Sequence, residues 1–260
     1  MLLIIDIVLL ITGAAFGSFI MLASSRYTPS VLPEHWLYTA SLPASRCDDC
    51  QQVLRWFELV PVISWLCLAG RCRYCCQRIP AALPLTEIFC ALLFVTLPAL
   101  GFQPSAIALL IVASALLLLL SRIDLRWQLL PDVLTYPLLW LGLVFSLLTS
   151  DLPSPTSAIL GALVGYLSLW LIARFYRLIR GVHGLGYGDM KLFAALGAWN
   201  GVECLGLIAV IAAIGALLSH AMSLLAGRKC NHYSPQPFGP WLAVAGSITF
   251  FWQQLVTPLP

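Results

Sequence analysis

The chain has 260 residues, 60% of them hydrophobic and only 10% charged, with a formal net charge of +3. A soluble globule carries roughly a quarter of its residues as charges, so this composition excludes an ordinary soluble domain and makes the bilayer the solvent. Apolar stretches of about 18 residues or more recur, each long enough to cross a hydrocarbon core of roughly 30 Å as a helix, whereas the period-two alternation of a membrane barrel is missing.

The first segment, residues 1–23, is apolar and carries Asp6 where a signal peptide would carry Lys or Arg, so it reads as a retained first transmembrane helix. Further spans are predicted at 86–101, 105–121, 132–149, 156–173, 190–201, 204–225 and 239–257. The expected fold is all-α and polytopic, with about eight transmembrane helices and a small zinc-binding subdomain. The span at 190–201 is the weakest, because a dozen residues rise only about 18 Å. A break at Gly201-Val-Glu203 separates it from its successor.

Basic residues set the orientation. Arg26, Arg46, Arg55, Arg71, Arg73 and Arg78 fall in the first loop, Arg122 and Arg126 in the third, Arg174, Arg177, Arg180 and Lys191 around the fifth, and Arg228 and Lys229 in the seventh. The termini and even loops hold none of the 14 Lys and Arg residues. The positive-inside rule makes the odd loops cytoplasmic and both termini periplasmic. Gly13-x-x-x-Gly17 and Gly161-x-x-x-Gly165 are small-residue pairs that bring helices close, within one bundle or between chains.

Residues 24–85 form the one loop large enough for an aqueous subdomain. It contains Cys47-Asp-Asp-Cys50 and Cys72-Arg-Tyr-Cys75. Two Cys-x-x-Cys turns at this separation suit a tetrahedral four-cysteine zinc site, and four protein ligands leave no open position for water, which makes the metal structural. Four unligated thiols are the alternative, and Cys76 competes with Cys75 for the fourth place. Cys67, Cys90, Cys204 and Cys230 lack ligand spacing and read as small apolar side chains. The His-Glu-x-x-His signature of a zinc protease is absent from the sequence.

Residues 86–260 form the predicted helical bundle, and its ionisable groups are functional candidates because burying them is costly. Asp6, Asp151 and Glu203 sit near periplasmic ends, where solvation explains them. Asp124, in Arg122-Ile-Asp-Leu-Arg126, follows the third span. Asp132 follows Pro131 at the start of the fourth, and Asp189 lies in Gly184-Leu-Gly-Tyr-Gly188-Asp-Met-Lys191. The predicted topology places all three at one membrane surface. Two converging carboxylates share a proton, one activating water while the other protonates the leaving group, as in aspartic proteases. Gly186 and Gly188 would permit close backbone approach and unusual dihedrals beside Asp189. The alternatives are an N-cap role for Asp189, helix-start chemistry for Asp132 and a salt bridge between Asp124 and its flanking arginines.

An ordered series of segments resembles the type IV prepilin peptidase family: Gly17-Ser-Phe19, the cysteine turns around Pro61-Val-Ile-Ser-Trp65 and Gly70-Arg-Cys72, Pro84-Leu-Thr-Glu87, Ile123-Asp-Leu125, Leu129-Leu-Pro-Asp-Val-Leu-Thr135, Gly186-Tyr-Gly-Asp-Met-Lys-Leu192 and Pro237-Phe-Gly-Pro240. The resemblance implies a bifunctional leader peptidase and N-methyltransferase of the Gly-x-Gly-Asp aspartyl protease type. Its catalytic pair matches Asp124 and Asp189. It further implies cleavage after Gly at the junction of a basic leader and an apolar helix in type IV prepilin or pseudopilin precursors, then methylation of the new amino terminus from S-adenosylmethionine, in the bacterial inner membrane with the site facing the cytoplasm. Met21 stands where the family usually has Asn, Asp48 where it usually has Pro, and His183 where a charged residue is common.

Within the pair, the helix dipole and nearby Lys191 favour Asp189 as the ionised member, leaving the shared proton on Asp124. The partners expected are precursor proteins and membrane lipid, not nucleic acid. Rival readings are a transporter whose Asp124, Asp132 and Asp189 line an ion path, and a zinc-dependent assembly scaffold. Carboxylates confined to one face argue against a continuous ion path, and a scaffold would tolerate loss of both aspartates where a protease would not.

Overall fold

A computed structural model describes residues 2–29, 36, 44–149, 153–181, 186–225 and 237–256. Among the described residues the chain is helical, with isolated bridges only at Arg46–Val53 and Arg71–Arg78. It divides into two compact units, residues 1–111 and 112–260.

In the first unit, α1 (Leu2–Ser25) packs on α3 (Ala82–Ala99). Small residues make this possible. A Cβ on Gly13 would lie 2.6 Å from the Cys90 carbonyl oxygen, and one on Gly17 would lie 2.8 Å from the Glu87 Cα. The first Gly-x-x-x-Gly pair is therefore used inside one chain. Between these helices lie a 3-10 turn (Trp56–Leu59) and the short α2 (Ile63–Cys67). Glu87, buried on α3, accepts a hydrogen bond from the Val62 N–H at 2.7 Å. That bond holds Val62 at φ 60°, a backbone conformation unfavourable for a β-branched residue.

The helix α4 (Pro104–Trp127) runs on from the first unit into the second. The second unit contains α5 (Asp132–Leu148), α6 (Pro155–Arg180), α7 (Tyr187–Asn200), α8 (Leu205–Leu225) and α9 (Gly239–Val256). At its centre, α7 is buried on every side from Leu192 to Asn200 and packs against α5, α6 and α9. The α6–α7 contact is close enough that a Cβ on Gly161 would collide with the Gly197 carbonyl, and one on Gly165 would lie 3.0 Å from that of Phe193. The second Gly-x-x-x-Gly pair is thus also consumed within the chain.

The ends of α6 follow local chemistry. Ser154 caps its start by accepting from the Ser157 N–H, with Pro155 in the first turn. Gly181, at φ 70°, closes it in the left-handed conformation. Arg177 and Arg180 in the last turn complement the helix dipole.

A helix forms at each of the eight expected spans. Among the described residues five helical segments, Ile4–Ser25, Ala82–Ala99, Pro104–Trp127, Pro155–Arg180 and Val202–Leu225, are long and apolar enough to cross a membrane by length and composition. The chain is therefore a multi-pass membrane protein, but the expected count of eight exceeds what the helices alone establish: α5 has 17 residues and α7 has 14. Several boundaries also move: the second and sixth spans, expected from 86 and 190, begin at Ala82 and Tyr187. The largest shifts are in the third and fifth, expected to end at 121 and 173, where α4 and α6 continue to Trp127 and Arg180, since no Gly or Pro interrupts the arginine-bearing turns. Asp124 thereby lies inside a helix rather than in a following loop.

Candidate functional site

The two cysteine turns of the first unit repeat one geometry. Cys47 N–H donates to the Gln52 carbonyl and Gln51 N–H to that of Cys47; likewise Cys72 N–H donates to Gln77 and Cys76 N–H to Cys72. In this match Cys47 corresponds to Cys72, Cys50 to Cys75 and Gln51 to Cys76. Gln51 and Cys76 are the positive-φ residues of their turns, at 56° and 59°. Cys76 is therefore the residue that bends the backbone, and Cys75 presents its sulfur to the cluster.

The sulfur atoms of Cys47, Cys50, Cys72 and Cys75 all lie within 4.8 Å of one another, and those of Cys47 and Cys75 are 3.8 Å apart. A tetrahedron of metal–sulfur bonds about 2.3 Å long has its sulfurs about 3.8 Å apart, so the four residues fit a tetrahedral ion. Backbone N–H groups of Cys75 and Tyr74 pull the Cys72 thiol down to about 7, toward the thiolate that binds metal. Of the cysteines expected to be apolar filler, Cys90 is buried between α1 and α3, Cys204 is half-buried and Cys67 is exposed; Cys230, like His183 and Gly184, lies outside the described residues.

The carboxylates converge in the second unit. Asp124, only 4% exposed, sits near the end of α4. Gln128, at φ 53°, ends that helix, and Leu129-Leu130-Pro131 lead into α5. Asp189 lies in the first turn of α7, half-buried. The two acids are near enough for the charge of Asp124 to bear on Asp189. Asp124 Oδ2 accepts the Gly239 N–H at 2.9 Å, and Asp189 Oδ2 lies against Gly186, on which a Cβ would stand 3.1 Å from it. Both glycines stand at helix starts, where N–H groups have no intrahelical partner and the dipole favours negative charge. One carboxylate thus lies at each of the beginnings of α7 and α9.

Leu130 is the spacer of this arrangement. A Cβ on Gly188 would come within 2.8 Å of the Leu130 Cβ, and one on Gly239 within 3.2 Å of Leu130 Cδ2 and 2.8 Å of Asp124 Oδ2. Close approach explains Gly188. Unusual dihedrals do not, because neither Gly186 nor Gly188 has positive φ, and Gly186 is extended at φ −72°, ψ 141°.

Asp132 and Lys191 pair with each other. Lys191 Nζ lies 2.6 and 2.8 Å from the two Asp132 oxygens and 5.2 Å from the centre of the Tyr136 ring. Two residues along a helix is about 200° of rotation, so Lys191 points away from Asp189, correcting the expectation that it supports the Asp189 charge. Gly239 was given no role on sequence grounds; a Gly immediately before a Pro at a predicted helix start was the available signal.

A Gly-x-Gly-Asp turn and a second, buried aspartate thus lie within range of each other's charge in one helical bundle. Comparison is more specific. Residues 111–222 match the "Type IV leader peptidase family" and residues 11–100 the "Bacterial Peptidase A24 N-terminal domain". A protein of Pseudomonas putida named "Prepilin leader peptidase/N-methyltransferase" is 43% identical over 84% of this chain and 75% of its own length. Proteins of the same name from Burkholderia pseudomallei (strain K96243) and Aeromonas hydrophila are 39% and 42% identical, over 93% and 85% of this chain and 84% and 75% of their own lengths. No solved structure matches. The chain belongs to the type IV leader peptidase family.

Proposed function

We propose that the chain is an aspartyl endopeptidase of the bacterial inner membrane that removes the leader from type IV prepilins or pseudopilins and then methylates the new amino terminus. The observation that carries the proteolytic part is the approach of Asp124 and Asp189, brought from separate helices into range of each other's charge and each set against a glycine at a helix start. One carboxylate takes a proton from water as it attacks the peptide carbon; the other gives a proton to the departing nitrogen. The proton belongs to the pair as a unit. With Lys191 turned toward Asp132, the starts of α7 and α9 favour the charge on Asp189 and Asp124 alike, so the geometry does not assign the proton to one member.

The eight helices then span the membrane, α7 as a short span wrapped by its neighbours, with the arginine-bearing ends of α4 and α6 in the cytoplasm. Cys47, Cys50, Cys72 and Cys75 hold a structural zinc ion that would tie the two turns of residues 24–85 together. Methyl transfer from S-adenosylmethionine is carried by the names of the relatives, and no residue of this chain is assigned to it.

Incubating the purified protein with a prepilin, followed by mass spectrometry of the new amino terminus, tests both activities at once. Asp124→Ala and Asp189→Ala are each expected to abolish cleavage without loss of membrane insertion. Full cleavage by either variant refutes the pair.

A further inference from the structure

Beside the carboxylates the second unit has an apolar slot of about 460 Å³. One wall is α6, with Leu169, Ile172 and Ala173; the other is the start of α9, with Phe238 and Leu242; Phe193 of α7 and Ala209 of α8 lie between them. The slot exists because α6 and α9 each pack against α7 rather than against one another. Its volume lies in the usual range for a ligand site, roughly 300–1,000 Å³.

Register places this slot relative to the acids. Gly161 meets Gly197, and Gly165 meets Phe193 and Ala194, so one turn further along these antiparallel helices Leu169 stands level with Asp189. Ile172, Ala173 and Tyr176 lie beyond that level, and Phe193 lies one turn below it. On α7, Phe193 is four residues from Asp189, on the same face. On α9, Phe238 directly precedes Gly239, whose N–H holds Asp124. The slot therefore runs past the carboxylates, toward the bilayer interior on one side and toward the arginine-bearing end of α6 on the other.

We propose that this slot receives the apolar helix that follows the scissile bond of the precursor, docking one face of it against α6, α7 and α9. The assignment rests on the peptidase reading above and extends it to where the substrate binds. A helix about 10–12 Å across and two turns long occupies on the order of 1,000 Å³, so the slot takes the side chains of one face, in the helix-in-groove manner. Continuity with the carboxylates selects this occupant over a lipid chain. A substrate helix seated here would have its scissile peptide near the level of Asp189, whereas a lipid chain has no need of that alignment.

Two measurements test the proposal. Prepilins carrying a photo-crosslinking benzophenone residue one, two or three turns after the cleavage site are bound to the Asp189→Asn enzyme in vesicles, illuminated, and the adducts mapped by mass spectrometry. Adducts on Leu169, Ile172, Ala173, Phe193, Ala209 or Leu242 support the slot. Adducts confined to α1, α3 or α5, to the Leu171 face of α6, or to lipid alone, overturn it. In parallel, Ala173→Trp is expected to raise KM for prepilin at least tenfold, while Leu171→Trp, on the opposite face of α6 and 58% exposed, leaves it within twofold. Equal KM values for the two variants also overturn the proposal. Failure of the wild-type protein to cleave prepilin defeats the peptidase reading itself; normal cleavage with adducts elsewhere defeats only the docking site. The cross-linking does not depend on the Trp variant folding.

Discussion

Gly239→Ala isolates the backbone support of Asp124 from the acid itself. The added Cβ would stand 2.8 Å from Asp124 Oδ2 and 3.2 Å from both Asp124 Cγ and Leu130 Cδ2. Either the carboxylate moves or the start of α9 does, and in both cases the 2.9 Å hydrogen bond from Gly239 is lost or stretched. A hydrogen bond to a charged partner contributes about 1.5–3 kcal/mol. If that contribution is expressed in the transition state, cleavage slows by roughly 10- to 150-fold, and a displacement of about 1 Å at the acid gives a loss of similar order. The fold has little reason to weaken, since Ala is the better helix former by up to about 1 kcal/mol. The assay is steady-state cleavage of a prepilin by purified enzyme, paired with thermal unfolding in detergent. A kcat within twofold of wild type, with unfolding unchanged, would refute the claim that this N–H positions Asp124.

Cys75→Ser is expected to remove bound metal while Cys76→Ser retains it, as read by elemental analysis of the purified proteins, because Cys76 occupies the bend rather than the cluster. Lys191→Met removes an ion pair in which Asp132 is 51% exposed. Such pairs contribute about 0–1 kcal/mol, so cleavage should stay within about threefold of wild type, in contrast to complete loss with Asp124→Asn. Gly161→Ala drives a methyl into the Gly197 carbonyl and is expected to destabilise the second unit by about 1–3 kcal/mol, measured as a lowered unfolding temperature in detergent.

Much of the architecture was legible because the bilayer imposes a strong pattern. A long apolar run bounded by arginines specifies a helix and its position, and each expected span is a helix here. Ends were less legible. Nothing local announces that α4 carries on through Ser121-Arg-Ile-Asp-Leu-Arg126, because arginine is a good helix former and the stop comes from Gln128 in a left-handed conformation, a role that sequence assigns to Gly or Asn.

In the candidate site, aspartates and cysteines stood out because charge in a membrane and paired thiols are rare. The choice between Cys75 and Cys76 needed the backbone, since only the φ of Cys76 separates bend from ligand. Gly239 donates with its main chain, which leaves no chemical signature in a sequence. The direction of Lys191 required knowing that α7 already begins at Tyr187, so that the two residues separating it from Asp189 become a half turn of helix rather than a flexible loop.

The short central helix gives a physical reason for placing peptide cleavage here. At 14 residues, α7 rises about 21 Å, less than a hydrocarbon core of roughly 30 Å. A lipid-facing helix of that length would be mismatched, but the burial of α7 among α5, α6 and α9 removes it from lipid. The Gly161–Gly197 contact fixes where the shortfall lies. In that register Asn200 is level with Ala158, near the start of α6, whereas Tyr187 is level with Leu171, and α6 continues nine residues further, about 13 Å, to Arg180. The difference in length is thus concentrated at the arginine-bearing end, where α6 extends past the start of α7. On the proposed function, the peptide bond where a charged leader meets an apolar helix is reached at the level of the α7 start, below the arginines of α6. If Leu130 and the α7 and α9 starts instead lay flush with the arginines, attack would fall within the leader. Moving the junction along a prepilin by one helical turn should therefore suppress cleavage rather than shift its position, and cleavage that tracked the moved junction at the wild-type rate would show that the level of the α7 start sets no depth.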